Sequence, residues 1–87
     1  MAIIIMSHEV ADYAAWKPIY DADAPRRDQA GFKEIAVGTR AENPKMVSMI
    51  WEGDPSGIES MMADPELEAK MKAAGVISAP EMIIINT

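Results

Sequence analysis

The stretch Asp12–Gly31, DYAAWKPIYDADAPRRDQAG, determines how the rest of the chain is arranged. On a helix with about 100° between residues, one stripe of this segment collects aromatic side chains and a cation. The stripe consists of Tyr13, Trp16, Tyr20, Ala24 and Arg27. Asp12 has the short acceptor that caps a first turn, and Gly31 stands where a left-handed residue ends a helix. The pattern predicts an amphipathic helix that follows an apolar opening strand.

Two prolines interrupt this predicted helix. Pro18 and Pro25 each lack the backbone N–H that would bond to the fourth carbonyl before them, and an interior proline costs about 3 kcal/mol in an ordinary helix. The sequence therefore predicts either a kink at one or both sites or two helical segments, and it does not choose between them.

The length and composition limit the chain to one domain, residues 1–87, without room for a second core. A chain this short buries only about 60–65% of its unfolded surface, so such domains often depend on disulfides, metals or a partner chain. There is no cysteine and a single histidine, which excludes disulfides, Cys-ligated metals and a His-rich metal site. Association is then the expected extra source of stability.

The charge and the apolar runs exclude further classes. Eight basic against fourteen acidic residues give a net charge of −6, which argues against nucleic-acid binding. No apolar run approaches the roughly 20 residues that span a bilayer. The opening MAIIIM is too short for a signal peptide and has no basic region. We expect a cytoplasmic protein that binds neither membrane nor nucleic acid.

Four segments have strand character, namely residues 2–9, 32–40, 46–51 and 81–86. A turn at residues 42–45 joins the second and third into an antiparallel hairpin. Gly38, within the second strand, predicts either a bulge or a place where another backbone or a ligand comes close.

Two further helices are predicted from matching start signals. In Asp54-Pro55 and Asp64-Pro65 the aspartate caps and the proline occupies the first helical position. The first helix runs to about residue 62, and Gly75 ends the second after residue 74.

The element order predicts an α+β fold, the ferredoxin-like βαββαβ arrangement of a four-stranded antiparallel sheet with helices on one face. The first and last strands are nevertheless apolar on both faces. Because helices cover only one face, we expect a second copy to cover the other, sheet against sheet, in a two-fold homodimer.

The sequence resembles the dimeric α+β barrel superfamily, in particular its small bacterial members related to antibiotic biosynthesis monooxygenase-like domains. The resemblance spans the chain and is carried by HEVADYAAWKPIYD (residues 8–21), APRR (24–27), GF (31–32), NP (43–44), DPEL (64–67), AGV (74–76) and AP (79–80). It implies the fold and the dimer. The superfamily includes oxygenases, decarboxylases, dismutases, isomerases and members with no known activity, so the resemblance alone does not choose a reaction.

The resemblance also bears on cofactors. The oxygenases of the superfamily need neither metal nor organic cofactor, which suits a chain with no cysteine and one histidine. Haem-binding relatives need an axial ligand, and His8, at the end of the first strand, does not resemble their proximal site. We therefore expect no cofactor and no metal.

Two residues are candidate catalytic groups. His8 titrates near neutral pH when unperturbed and is a candidate general base, and the resemblance places it beside the family's pocket. The alternative is a histidine that satisfies a backbone or carboxylate group at a strand end. Arg27 is a candidate for holding a carboxylate or enolate oxygen, with a surface salt bridge as the alternative. Arg26 points about 100° away and is expected to be solvated.

A candidate substrate-binding wall is aromatic. It comprises Tyr13, Trp16, Tyr20, Met49 and Trp51, with Met61, Met62 and Met71 as a movable lining. Ordinary core packing is the alternative for all of these side chains.

Two functions remain open. One is a small cofactor-independent monooxygenase, cyclase or isomerase that acts on a small aromatic or polyketide-like compound. The other is a non-catalytic, small-molecule-binding or stress-related dimer. An RNA-binding use of the fold is disfavoured, because paired stacking aromatics on a strand are lacking and the charge has the wrong sign.

Overall fold

A four-stranded antiparallel sheet forms the base of the molecule in the computed structural model, which describes residues 1–87. The strands are β1 (Ala2–Glu9), β2 (Lys33–Arg40), β3 (Asn43–Gly53) and β4 (Glu81–Asn86), in the order β2-β3-β1-β4. The first and last strands have the predicted bounds, since each is a nearly continuous run of apolar, mainly β-branched residues.

Four helices connect these strands and lie on one face of the sheet. They are α1 (Tyr13–Ala22), α2 (Ala24–Gln29), α3 (Ser56–Met62) and α4 (Pro65–Ala73). The architecture is the predicted ferredoxin-like fold, in which each of the two helical connections between strands consists of two helices. None of the four is long and apolar enough to cross a membrane.

The segment with two prolines forms two helices. The break falls at Asp23, and Pro25 lies in the first turn of α2, where its missing N–H costs little. Pro18 stays inside α1. The predicted caps are present: Asp12 accepts a hydrogen bond from the Ala14 N–H at 3.0 Å, and Gly31 has φ +83°.

The β2–β3 hairpin turns earlier than predicted. Arg40 pairs with Asn43, so the turn is Ala41-Glu42 and not residues 42–45. Pro44 is tolerated in β3 because it lies in a register shift and beyond the residues that pair with β1. The Asn43 side chain accepts a hydrogen bond from the Lys45 N–H at 3.0 Å, which satisfies the local backbone.

The bulge given as one possibility for Gly38 lies elsewhere in β2. Gly38 pairs regularly with Ser48, and a Cβ there would meet nothing within 4 Å. The irregularity lies between Glu34 and Ala36, which leaves Ile35 as an extra residue. The close approach occurs at Gly53, whose Cβ would lie 2.5 Å from a Phe32 ring carbon.

This contact gives a stability prediction. Gly53→Ala should lower the free energy of unfolding by about 1–3 kcal/mol, because the new Cβ would overlap the buried Phe32 ring and would lie 3.0 Å from the Gly31 carbonyl oxygen, so that one of these groups must shift. In a Phe32→Leu background the loss should be smaller, since the smaller side chain relieves the overlap. Urea denaturation of the four proteins measures both losses. Equal losses in the two backgrounds would show that the ring is not the obstacle.

The two faces of the sheet differ. The helix-facing side of β1 and β3 is buried in the core, with Ile4, Met6 and Trp51 between 0% and 3% exposed. On the opposite face, Ile5 lies between Ile50 of β3 and Ile83 of β4. Ile83 is 58% exposed, so this face presents apolar side chains without cover from the chain itself.

Candidate functional site

A cavity of about 60 Å³ lies between the helices and the inner face of the sheet. Eleven of its fifteen lining residues are hydrophobic. An engineered apolar cavity of about 150 Å³ accommodates benzene, so a ring-bearing ligand requires this cavity to widen. Met61, Met62 and Met71 of α3 and α4 line it, and the flexible thioether side chain suits such movement.

His8 faces this cavity from the end of β1. It lies on the inner face because it follows Ile4 and Met6 in the strand alternation, and its side chain is 3% exposed. Its Nδ1 atom is buried without a hydrogen-bond partner. The carboxylate partner of the alternative hypothesis is absent, and a contact with the backbone of His8 itself is the one polar interaction that favours the charged imidazole.

The environment of His8 controls its charge. Desolvation by burial lowers the pKa of the imidazole below its usual 6.5, because the charged form loses solvation. The imidazole is consequently neutral at pH 7, with one nitrogen lone pair free to accept a proton. A neutral base in an apolar cavity is the central chemical feature of this site.

Four of the five predicted wall residues line the cavity together with His8. The Trp16 ring meets the imidazole edge-on with centroids 5.5 Å apart, and Tyr20 stacks on Trp16 at 4.8 Å. Met49 and Trp51 line the cavity from β3, and all four wall side chains also belong to the buried core. Tyr13 does not line the cavity, although its ring packs 5.7 Å from Trp16.

Arg27 lies at the edge of the cavity and is held by Tyr20. Its guanidinium carbon lies 3.7 Å from the centre of the Tyr20 ring, and Nη1 donates to the Tyr20 carbonyl at 2.9 Å. Arg27 makes no salt bridge, so the surface ion pair given as its alternative is absent.

The expectation that Arg26 is solvated is wrong. Its side chain is only 18% exposed and bonds to Asp23 at 3.1 Å, to Asp64, and to Glu66 at 3.3 Å. Lys70 adds a bond to Asp23 at 3.0 Å. The break between α1 and α2 brings Asp23 against the start of α4, an approach that helical periodicity alone does not reveal.

A hydrogen-bonded chain at the base of the cavity was not predicted. The Trp51 Nε1–H donates to the Tyr20 hydroxyl at 2.9 Å, and that hydroxyl donates to Glu34 at 2.7 Å. Burial raises the pKa of Tyr20 to about 12, so the phenol stays protonated at neutral pH. Glu34 reaches Tyr20 because it pairs with Trp51 in the sheet, just before the extra residue Ile35.

Metal ligands are not clustered in the molecule. No group of three or more histidine, aspartate or glutamate side chains lies close enough together to hold a metal ion. The acidic run on α3 and α4 is partly engaged in salt bridges with Arg26, Lys70 and Lys72.

The comparisons with known proteins concern the fold. No family model matches the sequence, and no curated protein matches it. Several solved structures are similar over nearly the whole chain. A crystal structure of an antibiotic biosynthesis monooxygenase has a TM-score of 0.68 at 14% identity, and the match covers 100% of this chain and 98% of that chain.

Two further structures have the same architecture. SnoaB, a cofactor-independent oxygenase from Streptomyces nogalater, has a TM-score of 0.67 at 13% identity, with 99% of this chain and 91% of that chain covered. An uncharacterised NIPSNAP domain protein from Burkholderia xenovorans has a TM-score of 0.70 at 14% identity, with 100% of this chain and 94% of that chain covered. At such identities the likeness shows the fold alone. The chain therefore has the ferredoxin-like fold of antibiotic biosynthesis monooxygenase-like proteins, in agreement with the resemblance in its sequence.

Proposed function

We propose that the protein binds a small enolisable or phenolic aromatic compound in the cavity and that His8 removes a proton from it. The observation that supports this most strongly is the buried, neutral imidazole with an unpartnered Nδ1 facing an apolar cavity. A general base must be unprotonated and must have a lone pair that no other group occupies; burial lowers the pKa of His8, and its Nδ1 has no hydrogen-bond partner.

The proposed reaction is oxygenation without a cofactor, as in the cofactor-independent oxygenase that shares the fold. His8 takes a proton from an activated CH2 group, and the carbanion transfers electrons to O2 and forms a C–O bond. The protonated imidazole returns its proton, which gives a hydroperoxide. Loss of the second C–H proton and cleavage of the O–O bond release water and leave a ketone. The substrate and O2 together supply all the atoms and electrons.

The apolar cavity wall supports this chemistry physically. Trp16, Trp51 and Met49 are each no more than 3% exposed, so water has little access to a carbanion formed among them. Exclusion of water suppresses reprotonation by solvent and strengthens the polar contacts that remain. A cyclase or isomerase would use the same proton transfer without consuming O2.

We also propose that the active form is a two-fold homodimer through the open face of the sheet. Supporting observations are the exposure of Ile83 and Ile85 of β4 and the alignment of Ile83 with Ile5 and Ile50 on the open face. Monomers rarely leave an apolar surface of this kind in water. A second copy would cover it with the same surface by symmetry.

The test uses two compounds with acidic CH2 groups, the small 2-indanone and the larger anthrone. Wild-type protein should accelerate deuterium exchange at the CH2 carbon under nitrogen, and it should consume one O2 per ketone formed in air. Exchange without O2 uptake would indicate an isomerase or cyclase. Binding of either compound without exchange would support the alternative, a dimer that binds small molecules without reaction.

A further inference from the structure

The cavity is lined by more positively than negatively charged side chains, whereas the protein as a whole is negatively charged. The chain carries −6, yet the cavity is lined by two cations, Arg27 and Lys70, and one anion, Asp23. Asp23 is already engaged by Arg26 at 3.1 Å and by Lys70 at 3.0 Å. Arg27 is therefore the one cation of the cavity lining whose charge no carboxylate compensates through a salt bridge.

Arg27 is fixed in place before any ligand arrives. Stacking on Tyr20 and the bond to the Tyr20 carbonyl use one face and one N–H of the guanidinium. The group has five N–H donors in a rigid fork, so most of them are left for another acceptor. Such preorganisation reduces the entropy lost when an anion binds.

The other side of Arg27 does not suit an anion. A second, polar cavity of about 170 Å³ lies there, and it is lined by three carboxylates, those of Asp21, Asp28 and Glu34. Their negative field disfavours an anion in that cavity. An anionic group would therefore approach Arg27 from the apolar cavity, where low polarity strengthens a charge-assisted hydrogen bond.

We infer that the ligand carries an anionic oxygen, a carboxylate or an acidic phenolate, on a small apolar body, and that Arg27 binds this oxygen. This inference rests on the proposed use of the cavity and adds the charge of the ligand. The apolar body packs against Trp16 and the methionines, and the anionic end lies beside Tyr20 and Arg27. Acids would thus be preferred over neutral compounds of the same shape.

The experiment compares acids with neutral isosteres. Calorimetric titration with benzoate and benzamide tests the carboxylate, and titration with 4-nitrophenolate and 4-nitroanisole tests the phenolate. We expect wild-type protein to bind at least one acid about tenfold or more tightly than its neutral partner, as for a hydrogen bond to a charged group. Arg27→Gln should remove that preference, and Arg27→Lys should reduce it.

Arg40→Gln is the matched control, because Arg40 is an exposed cation of β2 that makes no salt bridge and does not line the cavity. It should retain the preference for the acid. Equal affinities of acid and neutral compound in wild-type protein would overturn the inference and leave the cavity as a site for neutral ligands. A preference that survives Arg27→Gln would overturn the role of Arg27. If neither compound of either pair binds while 2-indanone does, the inference fails and the proposed function stands.

Discussion

Replacing His8 by glutamine is expected to lower the rate of deuterium exchange and oxygen uptake with anthrone or 2-indanone by about 10²–10⁴-fold. His8 is the one neutral base among the side chains that line the cavity. Asp23 and Tyr20 cannot replace it, because the Asp23 carboxylate is engaged in salt bridges and the Tyr20 phenol is protonated. Glutamine can form hydrogen bonds but cannot accept a proton at neutral pH.

Glu9→Gln is the matched control for this variant. Glu9 follows His8 in β1, points to the other face of the sheet and does not line the cavity. Its replacement removes a charge from the adjacent position and should leave the rate unchanged. If His8→Gln keeps the wild-type rate while its fold and thermal midpoint are preserved, His8 is not the base.

Replacing Ile83 by aspartate is expected to convert the proposed dimer into a monomer. Ile83 lies on the open face of the sheet beside Ile5, and a two-fold interface would bury two copies of the new carboxylate. An uncompensated buried charge costs about 3–5 kcal/mol, so two copies should raise the dissociation constant by about 10⁴-fold or more. Analytical ultracentrifugation of both proteins over a dilution series measures this change.

The neighbouring residue provides a control with the same chemical change on the opposite face. Ile84 pairs with Ile4 and lies on the helix-facing side of the sheet, where it is 43% exposed. Ile84→Asp should lose some stability but stay dimeric. A wild-type monomer would contradict the dimer, and equal dissociation of both variants would contradict its placement on the open face.

Local signals in the sequence were enough for most of the fold. The strands of consecutive isoleucines, the Asp64 cap before Pro65 and the glycines at helix ends each act within a few residues. The failures concern pairing across the sheet. The early hairpin turn and the extra residue Ile35 depend on which register β2 adopts against β3, and this is not encoded in either strand alone.

The site was less accessible to sequence reasoning for the same physical reason. Both faces of β1 are apolar, so alternation could not decide which face carries His8. The salt bridges of Arg26 with Asp64 and Glu66 join residues far apart in the sequence, and so does the hydrogen bond from Tyr20 to Glu34. These contacts depend on the folded arrangement of the elements. The Tyr20–Glu34 contact joins residues fourteen apart in the sequence, and no local pattern of β2 pairs them.

Nitrogen-15 NMR of the His8 side chain would report whether a neutral imidazole faces a ligand cavity. It is the only histidine, so its signals need no assignment by mutation. The pKa of His8 lies below 6.5 in the folded protein, so the unfolded chain binds more protons than the folded one as the pH falls below 6.5. The free energy of unfolding should therefore decline as the pH falls through this region. We predict an imidazole whose pKa lies below the usual 6.5 and whose nitrogen signals shift when benzoate or 2-indanone is added. An imidazole that titrates at or above 6.5 and does not respond to either compound would contradict the account.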